Sequence, residues 1–267
     1  MLSKKTVLMS ALVVALAGVS AVAMASHSWN NYHWARNSAS FALQTLDSTV
    51  QGGTNANWPV LLGAASSQWS QSTKLDLNVK PYANTSRDRK RCTAVSGKIR
   101  VCNAAYGNNG WLGLASINID SNSHITQGTA KMNDSYASTW ANDANEAAHV
   151  MCQEVGHTFG LGHTSEDGSS QSTCMDYSSS PNSTKPNQHD YDQLVASYGH
   201  TDSYNTYSTS LAAAVTHGQS GMAGDVPLGQ LVRKGHFSET YAAPDGRGGL
   251  WITHVTLAPG FENLDQQ

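Results

Sequence analysis

The hydrophobic and polar positions of the chain follow two periods, and each period predicts a kind of element. Alternation with a period of two predicts strands at 41–46, at 75–79, up to about residue 119 and at 125–132. Apolar residues at helical spacing predict a helix over 58–69, where Pro59 suits the first turn. A later apolar stripe predicts a short helix over 188–198.

The longest helical stretch, 143–159, carries the polar residues of chemical interest. Asn142 or Asp143 can cap its first turn, and the charge of Glu146 suits the positive end of the helix dipole. We therefore expect a well-defined helix start and a fixed direction for the side chains that follow.

A carboxylate and two imidazoles occur at a spacing that suits a metal. Glu154 and His157 lie three residues apart, so a helix places them on adjoining parts of one face. Gly160 allows the chain to leave the helix through a left-handed conformation, which can bring His163 back towards the same point. Two imidazoles beside a carboxylate can hold zinc and activate its water.

This stretch, QEVGHTFGLGH, resembles the HExxHxxGxxH signature of the metzincin metallopeptidases, and Met175 in CMDY resembles their Met-turn. The resemblance covers residues up to about 200. It implies an α+β fold class: a metzincin-like catalytic domain at 26–200 with a twisted mixed sheet, an active-site helix, a Met-turn and a C-terminal helix. It also implies that the strand at 125–132 borders the substrate cleft.

The resemblance also implies roles for individual residues. His157 and His163 correspond to the second and third zinc ligands, and Glu154 to the general base. Gly160 corresponds to the glycine that turns the chain, and Met175 to the residue that supports the site from below. The implied cofactor is Zn²⁺.

The first ligand position departs from the family, because Gln153 stands where a histidine belongs. Zinc accepts oxygen ligands, so we expect the amide oxygen of Gln153 to bind it. Tyr177 lies two residues after Met175, where astacins and serralysins have a tyrosine that approaches the metal and stabilises the transition state. His149 is the alternative ligand, but it lies about 12 Å along the helix axis from His157, so we expect it outside the metal's coordination shell.

Four cysteines suggest two disulfides in an exported chain, and three pairings are possible. We favour Cys92–Cys102, which would close a hairpin, and Cys152–Cys174. The metzincin resemblance supports the second pair, because it would join the active-site helix to the Met-turn. A thiolate ligand role for Cys152 is the alternative, but its neighbour Gln153 points about 100° away around the helix.

The N-terminal residues 1–25 have the features of a secretory signal peptide. Lys4 and Lys5 form the charged start, an apolar run follows over 7–22, and cleavage is expected after Ala25. We therefore expect a secreted protein, extracellular or periplasmic, without stable membrane insertion after cleavage. Charged residues are 13% of the chain, about half of the usual share, which agrees with export.

The charge pattern bears on partners. The net charge is −3, and the basic run at 87–91 suggests either nucleic-acid binding or a solvated loop beside Cys92. We favour the loop, because no other basic or aromatic cluster joins it. The metzincin resemblance implies a protein or peptide substrate as the partner. We expect no nucleic-acid partner, and we expect the chain to be a monomer. Asn118 and Asp120 are weak candidates for calcium.

The residues after 200 fall outside the metzincin resemblance. Residues 201–225 are rich in Ser, Thr and Gly and predict a flexible linker. Residues 226–267 form an extension whose alternating runs, such as 250–255, indicate a strand pair. The extension can pack on the domain, bind a surface or be processed.

These features predict a secreted zinc endopeptidase. Two alternatives remain from the sequence. One is a catalytically inactive metzincin-like binding module, because Gln153 replaces a ligand. The other is an adhesion protein that binds polysaccharide through its aromatic N-terminus and its tail.

Overall fold

The computed structural model describes residues 26–209 and 226–263. The strands are β1 (His33–Trp34), β2 (Phe41–Ser48), β3 (Gln51–Gly53), β4 (Ala56–Asn57), β5 (Leu75–Pro81), β6 (Ile99–Ala104), β7 (Trp111–Ile119), β8 (His124–Asn133), β9 (Gln230–Lys234), β10 (Ser238–Pro244) and β11 (Leu250–Leu257). The helices are α1 (Trp58–Trp69), α2 (Ser86–Arg91), α3 (Ala137–Asn142), α4 (Ala144–His157) and α5 (Gln188–Ser197). The described chain is therefore of mixed helix and strand composition, as expected for an α+β class.

One large mixed sheet dominates this part of the chain. Its strand order is β5-β2-β6-β8-β7-β11-β10-β9, with β1 added beside the start of β8. The four strands β5, β2, β6 and β8 are neighbours in this order and run parallel to one another. The strands that follow in the sheet are β7, β11, β10 and β9. Each of them runs antiparallel to the strand before it, beginning with β7 against β8. The C-terminal strands thus continue the same sheet that the N-terminal strands begin.

Two helices, α1 and α4, pack on each other and on the sheet. Trp58, Trp69 and Phe159 are fully buried at this junction. The indole Nε1 of Trp69 donates to the carbonyl of Cys152 on α4 at 3.1 Å. Burying aromatic side chains of this size supplies much of the apolar stabilisation of the layer. The core therefore fixes α4 against the sheet.

Most of the elements predicted from periodicity are confirmed. The helix over 58–69 is α1, and the strands at 41–46, 75–79 and 125–132 lie within β2, β5 and β8. The strand expected near residue 119 is β7, and the short helix at 188–198 is α5 with a one-residue difference at its end.

The hairpin expected between Cys92 and Cys102 is wrong. Cys92 ends helix α2 in a left-handed conformation, with φ 48°. The chain then turns at residues 93–98 and enters β6, which pairs in parallel with β2 and β8. The basic run, expected to be a loop, is helix α2 itself, and Thr85 caps it by accepting from the Asp88 amide.

The position of strand β8 also differs from expectation. We expected it to border a cleft, but it lies inside the sheet, between β6 and β7. The far side of β7 is occupied by β11. In this sheet the strands at the two ends are β5 and β9.

The C-terminal extension packs back on the domain as part of the sheet. The predicted strand pair is confirmed as β10 and β11. The first residues of the predicted linker are also packed, since the Asp202 amide donates to Arg36 O at 2.7 Å and the Thr206 amide to Ala35 O at 3.0 Å. The rest of that linker, 210–225, lies outside the described residues, as does the predicted signal peptide at 1–25.

Among residues 26–209 and 226–263, none of the helices combines the length and the apolar character that a membrane crossing needs.

Candidate metal centre

The two ends of helix α4 determine where its polar side chains lie. Asp143 caps it, accepting from the amides of Asn145 and Glu146 at 2.8 and 3.3 Å. At the other end Gly160 has φ +92°, and a Cβ there would overlap the carbonyl oxygen of Tyr32. Only glycine suits this exit. The exit returns the chain, so that Nε2 of His163 lies 3.1 Å from Nε2 of His157.

A third histidine reaches this pair from the last strand. His254 of β11 lies with its ring centroid 4.1 Å from that of His157 and 4.7 Å from that of His163. One ring nitrogen from each of the three residues lies within 4.8 Å of the others, which is a spacing that can hold a metal ion. Sequence reasoning missed His254, because its only local signal is the alternation at 250–255.

Hydrogen bonds indicate which ring nitrogen of His157 and of His163 carries the proton. Nδ1 of His157 lies 2.7 Å from the carbonyl of Leu161, which can only accept, so Nδ1 carries the proton. Nδ1 of His163 lies 3.3 Å from Oε1 of Glu166, an acceptor, and 3.1 Å from the hydroxyl of Tyr177, which accepts from it when Nδ1 carries the proton. Both Nε2 atoms then present lone pairs to each other. A cation between them relieves this repulsion, so the donor set fits a metal such as zinc.

Burial favours the neutral form of all three histidines. It lowers the pKa of His157 to about 3 and that of His254 to about 3. Burial also lowers the pKa of His163 well below its usual value, and the neighbouring His254 and His157 add to this effect. A neutral imidazole is the form that binds a metal.

Glu154 lies beside the three histidines and is fully buried. Its Oε1 accepts from the hydroxyl of Thr256 at 2.5 Å. Its Oε2 has no hydrogen-bond partner within the described residues and lies 3.9 Å from Nδ1 of His254. Burial raises the pKa of Glu154 to about 7, and the hydrogen bond from Thr256 acts in the opposite direction. A carboxylate with one free oxygen and such a pKa can take up a proton near neutral pH.

Gln153, the expected first ligand, has its amide engaged elsewhere. Its Nε2 donates to the carbonyls of Cys174 at 3.1 Å and Asp176 at 2.8 Å. Its Oε1 accepts from the hydroxyl of Thr256 at 3.0 Å. The side chain thus ties helix α4 to the CMDY turn and to β11. His149 also contacts this turn, with Nε2 2.8 Å from Asp176 O, and lies outside the three-histidine group.

Met175 and Tyr177 lie where the CMDY turn passes the helix. Met175 is fully buried, and a Cβ at Gly156 of α4 would come within 2.7 Å of its Sδ. The hydroxyl of Tyr177 lies 3.1 Å from Nδ1 of His163 and 2.9 Å from Nε2 of His254. Burial raises the pKa of Tyr177 well above its usual value, so the phenol keeps its proton and can donate it in a hydrogen bond.

Both expected disulfides are present. Cys92 is bonded to Cys102, and Cys152 is bonded to Cys174. The second bond joins the middle of α4 to the residue before Met175, close to the site. A disulfide there also leaves no thiolate on Cys152 to bind a metal.

The two weak calcium candidates take part in local hydrogen bonds. Asn118 donates to Asp245 Oδ2 at 3.1 Å. Oδ1 of Asp120 accepts from the amides of Asn122 and His124, each at 2.9 Å.

The centre is closed to solvent. The exposed fraction is 1% for His157, 0% for Glu154 and 3% for His254. Strand β11 covers one side, and the ring of Phe237, between β9 and β10, lies 5.5 Å from that of Tyr177. The C-terminal strands therefore both supply a histidine to the centre and cover it.

Comparisons with known proteins do not assign this chain. No protein-family model matches it, and the comparison with curated proteins found no match.

Proposed function

We propose that the protein is a zinc-dependent endopeptidase whose metal is held by His157, His163 and His254. The observation that carries this proposal is the convergence of three imidazole nitrogens within 4.8 Å beside a buried glutamate. Three histidines with one open position are a common catalytic zinc set. In this account His254 takes the ligand role that the metzincin resemblance assigns to position 153.

The residues around the three histidines supply the remaining groups of a hydrolase. A zinc ion held here would lower the pKa of a bound water and polarise the scissile carbonyl. Oε2 of Glu154 takes the water proton and delivers it to the leaving amine, because this oxygen has no partner among the described residues. The hydroxyl of Tyr177 donates to the oxyanion.

The metzincin relationship is part of the proposal. It rests on the motif and on two placements in the structure: Met175 packs under helix α4 at Gly156, and Gly160 turns the chain towards His163. Secretion is proposed on the predicted signal peptide, 1–25, together with the two disulfides.

Peptide entry requires a route into a closed centre. Strand β9 is an exposed end of the sheet, and its Arg233 forms an ion pair with Glu166 at 2.6 Å. Glu166 in turn lies 3.3 Å from His163. We place the substrate as an added strand along β9, whose backbone groups on the side away from β10 can pair with an extended peptide. The loop that carries Phe237 must then move away from Tyr177.

The burial of the centre favours a second candidate. A metal with no route for a substrate would be structural, and the protein would be an inactive binding module on the same frame. The near-zero exposure of His157 and Glu154 is the observation that favours it.

Zinc content and peptidase activity of the same preparation distinguish the zinc endopeptidase from the inactive module with a structural metal. The secreted protein is stripped with a chelator, reloaded with zinc and assayed on an unfolded protein substrate. Zinc uptake with zinc-dependent cleavage is the expected result. Zinc uptake without cleavage, where His163→Ala takes up less zinc than the wild type, supports the structural centre, and equal uptake by these two chains contradicts both.

A further inference from the structure

A second group of histidines lies apart from the candidate centre and shares no residue with it. Its members are His33 before β2, His200 after α5 and Asp202. Nε2 of His33 lies 3.1 Å from Nε2 of His200. Oδ1 of Asp202 lies 3.7 Å from the first of these nitrogens and 3.5 Å from the second.

A fourth side chain joins this group because of strand pairing. β1 runs parallel to the start of β8, with His33 opposite His124. Their ring centroids are 4.8 Å apart. Nε2 of His124 also lies 3.5 Å from Oδ1 of Asp202. One carboxylate oxygen is thus surrounded by three imidazole nitrogens.

The three distances to Asp202 are long for hydrogen bonds, and all four separations suit ligands of one metal. N–H···O hydrogen bonds cluster near 2.9–3.0 Å, well below the histidine-to-Asp202 distances. Bonds of about 2.0–2.1 Å at tetrahedral angles place the ligand atoms about 3.3 Å apart. The observed distances of 3.1–3.7 Å lie around that value.

The Nδ1 atoms of His33 and His124 face away from the group and form hydrogen bonds. These hydrogen bonds determine which nitrogen of each ring carries the proton. Nδ1 of His33 lies 2.8 Å from Asn31 O, so it is the protonated nitrogen and Nε2 has a lone pair. Tyr204 donates to Asp120 at 2.8 Å, so its oxygen accepts from Nδ1 of His124 at 2.6 Å. Nε2 of His124 is then also a lone pair.

Asp202 is oriented in the same manner. Its Oδ2 accepts from the amide of Arg36 at 2.9 Å, which leaves Oδ1 for the histidines. Partners of this kind, a carbonyl, a hydroxyl and an amide, are what orient the ligands of metal sites. Without a cation, the repulsion between the lone pairs of His33, His124 and Asp202 is offset only where Nε2 of His200 carries a proton and donates it to one of them, as its 3.1 Å distance from Nε2 of His33 allows.

We infer that His33, His200, Asp202 and His124 form a second zinc site. His33, His200 and Asp202 supply three ligand atoms within 4.8 Å of one another, and His124, whose Nε2 lies 3.5 Å from Oδ1 of Asp202, is placed as the fourth ligand of a tetrahedral structural site. It joins three segments that are distant in sequence: the N-terminal strand β1, the start of β8 and the chain after α5. This inference goes beyond the proposed function and does not depend on it.

Zinc counting by elemental analysis tests the site. The full chain is prepared without a polyhistidine tag, loaded with zinc and dialysed. About two zinc ions per chain are expected for the wild type, one from each tetrahedral set. His200→Ala should lose one of them, because this exposed ligand contributes only to the second site. His236→Ala is the matched control and should keep both.

The outcomes separate this site from the first. If His163→Ala retains one zinc and the double variant with His200→Ala retains none, both sites exist. If His200→Ala loses zinc but His163→Ala does not, the second site stands and the proposed metal centre fails. If His200→Ala binds as much zinc as the wild type, the inference is overturned, and His200 merely donates a hydrogen bond to His33.

A second measurement guards against misfolding. Cobalt(II) replaces zinc, and its visible absorption reports tetrahedral coordination. His124→Gln should weaken this signal from the second site, while circular dichroism stays that of the wild type. An unchanged cobalt spectrum in a folded His124→Gln chain contradicts the ligand role of His124.

Discussion

The hydroxyl of Thr256 on the last strand lies 2.5 Å from Oε1 of Glu154 and 3.0 Å from Oε1 of Gln153. It therefore contacts the two neighbouring residues at the centre of the motif. His254, two positions earlier on the same strand, faces the same side, because alternate residues of a strand share a face. The C-terminal extension is thus built into the candidate site.

Thr256→Val tests the role of this hydroxyl. The hydrogen bond lowers the pKa of Glu154, opposing the effect of burial. Removing it raises that pKa further, and a general base works only when it is unprotonated. The acidic limb of the pH profile of kcat/KM should therefore move to higher pH.

Thr253→Val is the matched control on the same strand. Thr253 is equally buried, but its hydroxyl pairs with Ser116 at 2.8 Å, away from the site. Its pH profile should be that of the wild type. A shift in both variants would point to a general effect of strand β11.

Glu154→Gln tests the proposed base. The amide keeps the shape of the side chain but cannot take a proton, and general-base catalysis contributes about 10²–10⁴-fold. Peptidase activity should fall by at least about 100-fold while zinc content is unchanged. Glu146→Gln on the same helix is the control and should keep its activity. Equal activity in the two variants would remove Glu154 from the mechanism.

Gly113→Ala tests the packing behind the base. A Cβ on Gly113 of β7 would come within 2.5 Å of Glu154 Oε1 and 2.7 Å of Val150 Cγ1. Overpacking of this kind costs about 1–3 kcal/mol of unfolding free energy, measured by urea denaturation. Gly63→Ala in α1 meets nothing within 4 Å and should stabilise the protein by about 0.5–1 kcal/mol. Similar unfolding free energies for Gly113→Ala and Gly63→Ala would mean that β7 does not pack tightly against Glu154.

The two disulfides give a matched pair of deletions. Removing Cys152–Cys174, which spans 22 residues, should cost about 3 kcal/mol in the chain-entropy model. Removing Cys92–Cys102 should cost a similar amount. Only the first should also weaken zinc binding, measured by competition with a chelator, because it holds the CMDY turn against α4. Equal zinc affinity in both double variants would contradict that role.

Local sequence signals were sufficient for much of the fold. Helix α4 was predicted with its cap because Asp143, the apolar stripe and Gly160 are all local. Strands β2, β5, β7 and β8 were predicted from alternation in the same way. The prediction of a hairpin at 92–102 was wrong because a disulfide between two cysteines close in sequence is compatible with many backbone conformations of the residues between them. Here the path is a helix end and a parallel strand.

The missing histidine could not be predicted from the sequence. His254 reaches the centre only because β11 pairs with β7, with His254 opposite Ala115. The pairing of two distant strands has no local signature, and a shift of one residue would turn His254 to the other face. The second group, at His33 and His200, depends on chain-distant packing for the same reason.

The most direct test of the account is the zinc content of His254→Ala beside Gln153→Ala. Both are made in chains that carry His200→Ala, so that the second site does not contribute. We predict that His254→Ala holds no zinc after dialysis and that Gln153→Ala holds about one ion, as expected for a single tetrahedral set. Zinc retained in His254→Ala and lost in Gln153→Ala would contradict the account and return the ligand role to Gln153.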